Sequence, residues 1–104
     1  MKSNLPSHYK EIRTRYPEYL DAVEALGKSV KDAGPLDELQ AELIQLAAAV
    51  AVRSEGAVHS HSRRALRNGA SREQVEHAIL LLTSTVGFPT VMAALSWAGD
   101  VYEE

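Results

Sequence analysis

Apolar residues recur along this chain every three or four positions, the spacing of helices that bury one side, and no segment shows convincing strand alternation. Pro, Gly and Ser punctuation divides the pattern into segments. Ser7 is placed to cap a short helix with Tyr9, Ile12 and Tyr16 on one face. Pro17 suits a first helical position, after which Tyr19, Val23, Leu26 and Val30 keep helical spacing up to Gly34-Pro35. Glu24 and Lys28 form a favourably oriented i,i+4 pair on its outer side.

The strongest helix runs from Asp37 to Ser54. Its first half is amphipathic, with Leu39, Leu43, Leu46, Ala47 and Val50 in one stripe, and Leu46 to Val52 carries no polar residue on any side. A helix apolar all round must be covered all round, which predicts subunit contacts. Ala47, Ala48, Ala49 and Ala51 would permit close helix approach. A further helix over 57–67 is stopped by Asn68-Gly69. Ser71 and Gln74 make a capping box that opens a helix through Val75, Ala78, Ile79, Leu82 and Val86, broken by Gly87-Phe88-Pro89. The last helix carries Val91, Leu95, Ala98 and Tyr102 on one face, with Trp97 nearby. The expectation is an all-α protein, a single domain over residues 1–104 with five to six helices.

Composition narrows the function classes. A net charge of −3 argues against general nucleic-acid or anionic-membrane binding. Arg53 closes the longest apolar run well short of a membrane span. MKSNLPSHYK shows no secretory pattern, so the cytoplasm is the expected location. With no cysteine, disulfides, thiolate metal ligands and thiol redox chemistry are excluded.

Candidate chemistry concentrates in SEGAVHSHSRRALRNG, residues 54–69. On a helix, His59 and His61 point about 200° apart and cannot share one ion. Glu55 and His59 are four apart, but Glu55 is expected in the turn, so no metal site is assigned. His61 is expected at the margin of the buried side, in a gap left by alanines, with His59 toward solvent. Arg63, Arg64 and Arg67 suit a helix C-terminus through its dipole, and one of them could fork onto the carboxylate of a small ligand. On periodicity alone Glu42 aligns with Glu38, Gln45, Ala49 and Arg53 and reads as exposed. Ser54 lacks the surroundings of a nucleophile, and His77 reads as surface.

The run from the Glu-Leu-Ile start at Glu42, through His-x-x-x-Ala-Leu-x-x-Gly-Ala-Ser from His61, to Gly-x-Pro at Gly87, resembles the carboxymuconolactone decarboxylase-like and alkylhydroperoxidase D-like superfamily. The resemblance spans residues 36–101 and leaves 1–35 as N-terminal helices outside it. It implies the alkylhydroperoxidase D-like helical fold, assembled as a trimer or hexamer. The peroxidase branch's Glu and His fall on Glu42 and His61, and its two cysteine positions on Ser54 and Ala57. A thiol peroxidase needs thiolates that Ser54 and Ala57 cannot supply. The decarboxylase branch needs a proton donor and a cationic anchor, roles that His61 and the arginines could fill. That branch places a Glu four residues before its His, where Ala57 stands. The resemblance thus leaves two functions open. One is a cofactor-free enzyme acting on a small carboxylated molecule through His61 and Glu42, with His59 and the arginines binding it. The other is a non-catalytic oligomer that retains the family pocket.

Overall fold

A computed structural model describes residues 6–104. The N-terminal run MKSNL, within the segment expected to lack a secretory pattern, lies outside the described residues. The described residues form seven helical segments and no strand, the all-α class expected. One of the seven is a single four-residue turn. They fall into two units, divided after Pro35.

The first unit holds α1 (Ser7–Arg15) and α2 (Pro17–Asp32). Ser7 is the first helical residue and not the cap: Pro6 holds the cap position and no side chain bonds there. Pro17 opens α2 as its spacing predicts, its missing N–H costing nothing in a first turn. Polar bonds tie the two helices. The Tyr9 hydroxyl donates to Glu24 at 2.7 Å, and Arg13 reaches Asp21 at 2.6 Å and Glu24 at 2.8 Å. Lys28 pairs with Asp32 at 2.6 Å. Leu20 is the buried residue of α2, while Tyr19, Val23, Leu26 and Val30 stand 47–64% exposed.

The second unit holds α3 (Glu38–Ala51), α4 (Glu55–Arg67), α5 (Arg72–Leu80), α6 (Thr83–Val86) and α7 (Phe88–Gly99). Asp37 and Gln40 close a capping box on α3, and Ser71 and Gln74 the expected one on α5. The core joins Leu46 and Val50 of α3, Val58 and Ala65 of α4, Val75 and Ile79 of α5, and Val91, Ala94 and Ala98 of α7. Each buried Leu, Ile or Val contributes about 1.5–3 kcal/mol. Fully buried alanines at 65, 94 and 98 let α4 and α7 approach closely.

Within the chain the apolar half of α3 is covered on one side only: Ala48, Ala51 and Val52 are exposed, and of its alanines only Ala49 is buried. α3 meets its neighbours along one side, so these residues face outward. The segment expected as one helix from Ser71 to Val86 is interrupted after Leu80. The Thr83 hydroxyl donates to the Leu80 carbonyl at 2.8 Å, and Leu82 N–H bonds Ile79 at i−3, tightening the turn. Gly87, at φ 95°, ends α6, while Phe88 and Pro89 already open α7.

Asn68-Gly69 does terminate α4. Ala70 N–H bonds Ala65 and Gly69 N–H bonds Leu66, a Schellman closure that puts Gly69 at φ 96°. Gly69→Ala is expected to cost about 1–2 kcal/mol through this backbone conformation alone, because an added methyl would meet nothing within 4 Å. Urea denaturation checks it.

Candidate functional site

Two helices carry the central pair. On α3, Glu42 lies one turn before Leu46 and two before Ala49, and both of those are buried. Glu42 follows them inward and is 1% exposed. This corrects the exposed position that periodicity predicts, and agrees with the place the family pattern implies. A buried carboxylate costs several kcal/mol unless paired. Its partner is on α4: His61 Nδ1 lies 2.8 Å from Glu42 Oε1. Donated to an ionised carboxylate, which can only accept, the proton of this bond would sit on Nδ1 and leave Nε2 for chemistry. The His61 side chain is 19% exposed, at the margin of the buried side as expected.

The two positions that match the family's cysteines carry no reactive group. Ser54 caps α4, its hydroxyl accepting from Ala57 N–H at 3.3 Å, which is a structural task and not that of a nucleophile. Ala57 lies one turn before His61 and is half-buried.

The remaining predicted residues divide by face. His59 is not simply solvated: its Nε2 meets Asp100 Oδ2 at 3.0 Å, and the side chain is 22% exposed. Arg63 shares that face and forks onto Glu104 at 2.7 and 2.9 Å. Arg64 and Arg67 are exposed. Arg64 stands about 60° round the helix from His61, nearer than Arg67 at about 120°. The structure therefore joins Glu42 to His61, and leaves His59 and Arg63 on another side of α4.

Hydrogen bonding to Arg63 holds the Glu104 carboxyl below its ordinary range against the opposing effect of burial, and the same bond raises Arg63. Because the folded carboxyl titrates below the unfolded one, the pair stabilises above the ordinary value of 4.5 and fails as pH falls through the lowered one. Arg63→Ala is expected to cost about 1 kcal/mol at pH 7. The gap to wild type should close in steps below pH 4.5, as read by urea denaturation.

Arg53 was not singled out by its residue pattern. α3 ends in a Schellman closure, Ser54 N–H to Ala49 and Arg53 N–H to Val50, with Arg53 in the glycine position at φ 56°. Its guanidinium donates to the hydroxyl of the buried Thr90 on α7. An arginine where a helix end favours glycine was the available signal. Arg53→Gly should relax the backbone yet lose the tie to Thr90.

A groove of about 390 Å³ lies elsewhere, lined by Leu43, Ile44 and Ala47 of α3, Gln74, His77 and Ala78 of α5, and Leu81 and Leu82. Glu42 and His61 are not among its walls. His77 is exposed, as expected. No helix among the described residues is long and apolar enough to cross a membrane.

The family model described as the carboxymuconolactone decarboxylase family matches residues 17–100. An uncharacterised protein of Haemophilus influenzae is 35% identical over 63 residues, 61% of this chain and 56% of that protein. The chain thus spans little more than half the length of that relative. An uncharacterised protein of Methanocaldococcus jannaschii is 29% identical over 93 residues, 86% of this chain and 87% of its own. The crystal structure of an apo carboxymuconolactone decarboxylase family protein from Legionella pneumophila superposes with a TM-score of 0.78 at 27% identity, covering 93% of this chain and 86% of that one.

Proposed function

This chain belongs to the carboxymuconolactone decarboxylase family, and from that premise we propose a cofactor-free proton-transfer enzyme, a decarboxylase or related lyase, acting on a small carboxylated lactone or keto acid. One observation carries the reading: a carboxyl group 1% exposed lies 2.8 Å from the Nδ1 of a histidine whose side chain is 19% exposed. The buried acid orients the ring and sets its tautomer, the role an aspartate plays behind a catalytic histidine elsewhere.

In the proposed step the C–CO₂ bond breaks and its electron pair moves into the conjugated carbonyl system of the substrate. Imidazolium Nε2–H of His61 then protonates the resulting carbanionic carbon, and the neutral ring regains a proton from water. Arg64 is the arginine best placed to anchor a substrate carboxylate, since Arg63 is taken up by Glu104. His59 and Arg67 are at most peripheral contacts. Thiol peroxidase chemistry is excluded, because the chain has no cysteine.

The same reading includes a cytoplasmic homo-oligomer, a trimer or hexamer. It is supported by exposed apolar residues of this unit, among them Ile44 at 54%, Val52 at 74% and Leu81 at 63%. A second reading, binding without turnover, is favoured by Ser54 and Ala57, which replace the family's reactive positions with a helix cap and a methyl group.

The test is a screen of small lactones, keto acids and dicarboxylates by thermal shift, followed by NMR of every hit in D₂O. Loss of CO₂ with one deuteron entering at carbon is expected. Hits that stabilise the protein but stay chemically unchanged would replace the enzyme reading with the binding one.

A further inference from the structure

Away from the Glu42–His61 pair, a second set of ligand-bearing side chains converges. Glu55 opens α4, His59 follows one turn later, and Asp100 caps the end of α7. One ligand atom from each lies within 4.8 Å of the other two. His59 Nε2 is 3.0 Å from Asp100 Oδ2 and 3.9 Å from Glu55 Oε2. The expectation that Glu55 sits in the turn is corrected here: Ser54 takes the cap position, so Glu55 is helical and its spacing from His59 is a true i,i+4 pair.

We propose that Glu55, His59 and Asp100 bind a borderline divalent cation of the zinc type, at a site separate from the Glu42–His61 pair. The imidazole sets this group apart from an ordinary acidic cluster. Its one nitrogen faces two carboxylate oxygens, and a single N–H can satisfy only one of them, the oxygen at 3.0 Å. A cation in that space would engage all three, with ligand distances of about 2.0–2.2 Å. The Glu55 and Asp100 side chains are 57% and 53% exposed, which leaves them free to turn toward such an ion. Arg63, on the same face of α4, is neutralised by Glu104 and leaves no unbalanced positive charge against the cation.

One imidazole and two carboxylates suit first-row metals, with zinc above manganese in affinity. Magnesium and calcium prefer oxygen-only shells with more ligands. Waters would complete the coordination. The bound ion would clamp the first turn of α4 to the end of α7, and His59 and His61 diverge too far round the helix for it to be the proton-transfer centre.

The experiment titrates the full, EDTA-stripped chain with Zn²⁺ by calorimetry, and with Co²⁺ by visible absorption. The expected result is one Zn²⁺ per chain, a higher Tm, and no matching response to Mg²⁺. His59→Ala and Asp100→Asn should each weaken binding by at least about tenfold, whereas His77→Ala should not. Circular dichroism verifies that each variant stays helical. Absence of any heat at about 1 mM Zn²⁺ would overturn the site. Binding that survives His59→Ala but vanishes in His61→Ala would overturn it too, by moving the ion to the buried pair. An equal response to Mg²⁺ would overturn the class of cation.

Discussion

His61→Ala is expected to destabilise the unit formed by α3 to α7 by about 3 kcal/mol, although it removes a side chain that still touches solvent. The loss comes from the partner left behind. Glu42 is 1% exposed, and losing the imidazole takes a hydrogen-bond partner from a carboxyl group that water barely reaches. Replacing both residues with apolar ones, Glu42→Met with His61→Leu, should return to within about 1 kcal/mol of wild type, since a well-packed apolar pair needs no compensation. A double-mutant cycle in urea measures the coupling. Should His61→Ala cost less than about 0.5 kcal/mol, the acid is already protonated in the folded protein, and the assignment of the proton to Nδ1 falls with it.

Turnover is the second large effect. With a substrate in hand, His61→Gln is expected to lower kcat by roughly 10²–10⁴-fold, the usual worth of a positioned acid–base group. Glu42→Gln keeps the shape and an acceptor oxygen but loses the charge that steadies the imidazolium, so kcat should fall while KM changes little. Arg64→Ala should do the reverse, raising KM with kcat nearly intact, because an anchor binds ground and transition states alike. Steady-state kinetics on the three variants separates these roles. Full activity in His61→Gln would remove the histidine from the mechanism.

The two residues on which both expectations rest were unequally legible. His61 could be placed at the buried margin because alanines flank it at 57 and 65 and Val58, Ser62 and Ala65 define the inner face. Glu42 could not be placed by periodicity. The stripe through Glu38, Gln45, Ala49 and Arg53 looks mostly polar, yet Ala49 within it and Leu46 just as near are buried. Only the family pattern pointed inward. Glu55 was misread for a local reason: whether Ser54 or a later residue caps the helix shifts the first turn, and helix starts are uncertain by a residue or two.

The linear order of residues was enough to settle the class of fold, several helix ends and the lack of cysteine. Those depend on near neighbours: a capping box needs partners three residues apart, a Schellman end favours glycine at one position, and thiol catalysis needs cysteine. Which side of α3 carried Glu42, which carboxylates met His59, and which arginine remained unclaimed were decided only when α3, α4 and α7 packed together. Glu42 and His61 are 19 residues apart, and His59 and Asp100 are 41. No local rule reaches that far. The bonds between them exist because burying Leu46, Val58 and Ala98 in one core brings their helices, and the polar groups they carry, to contact distance.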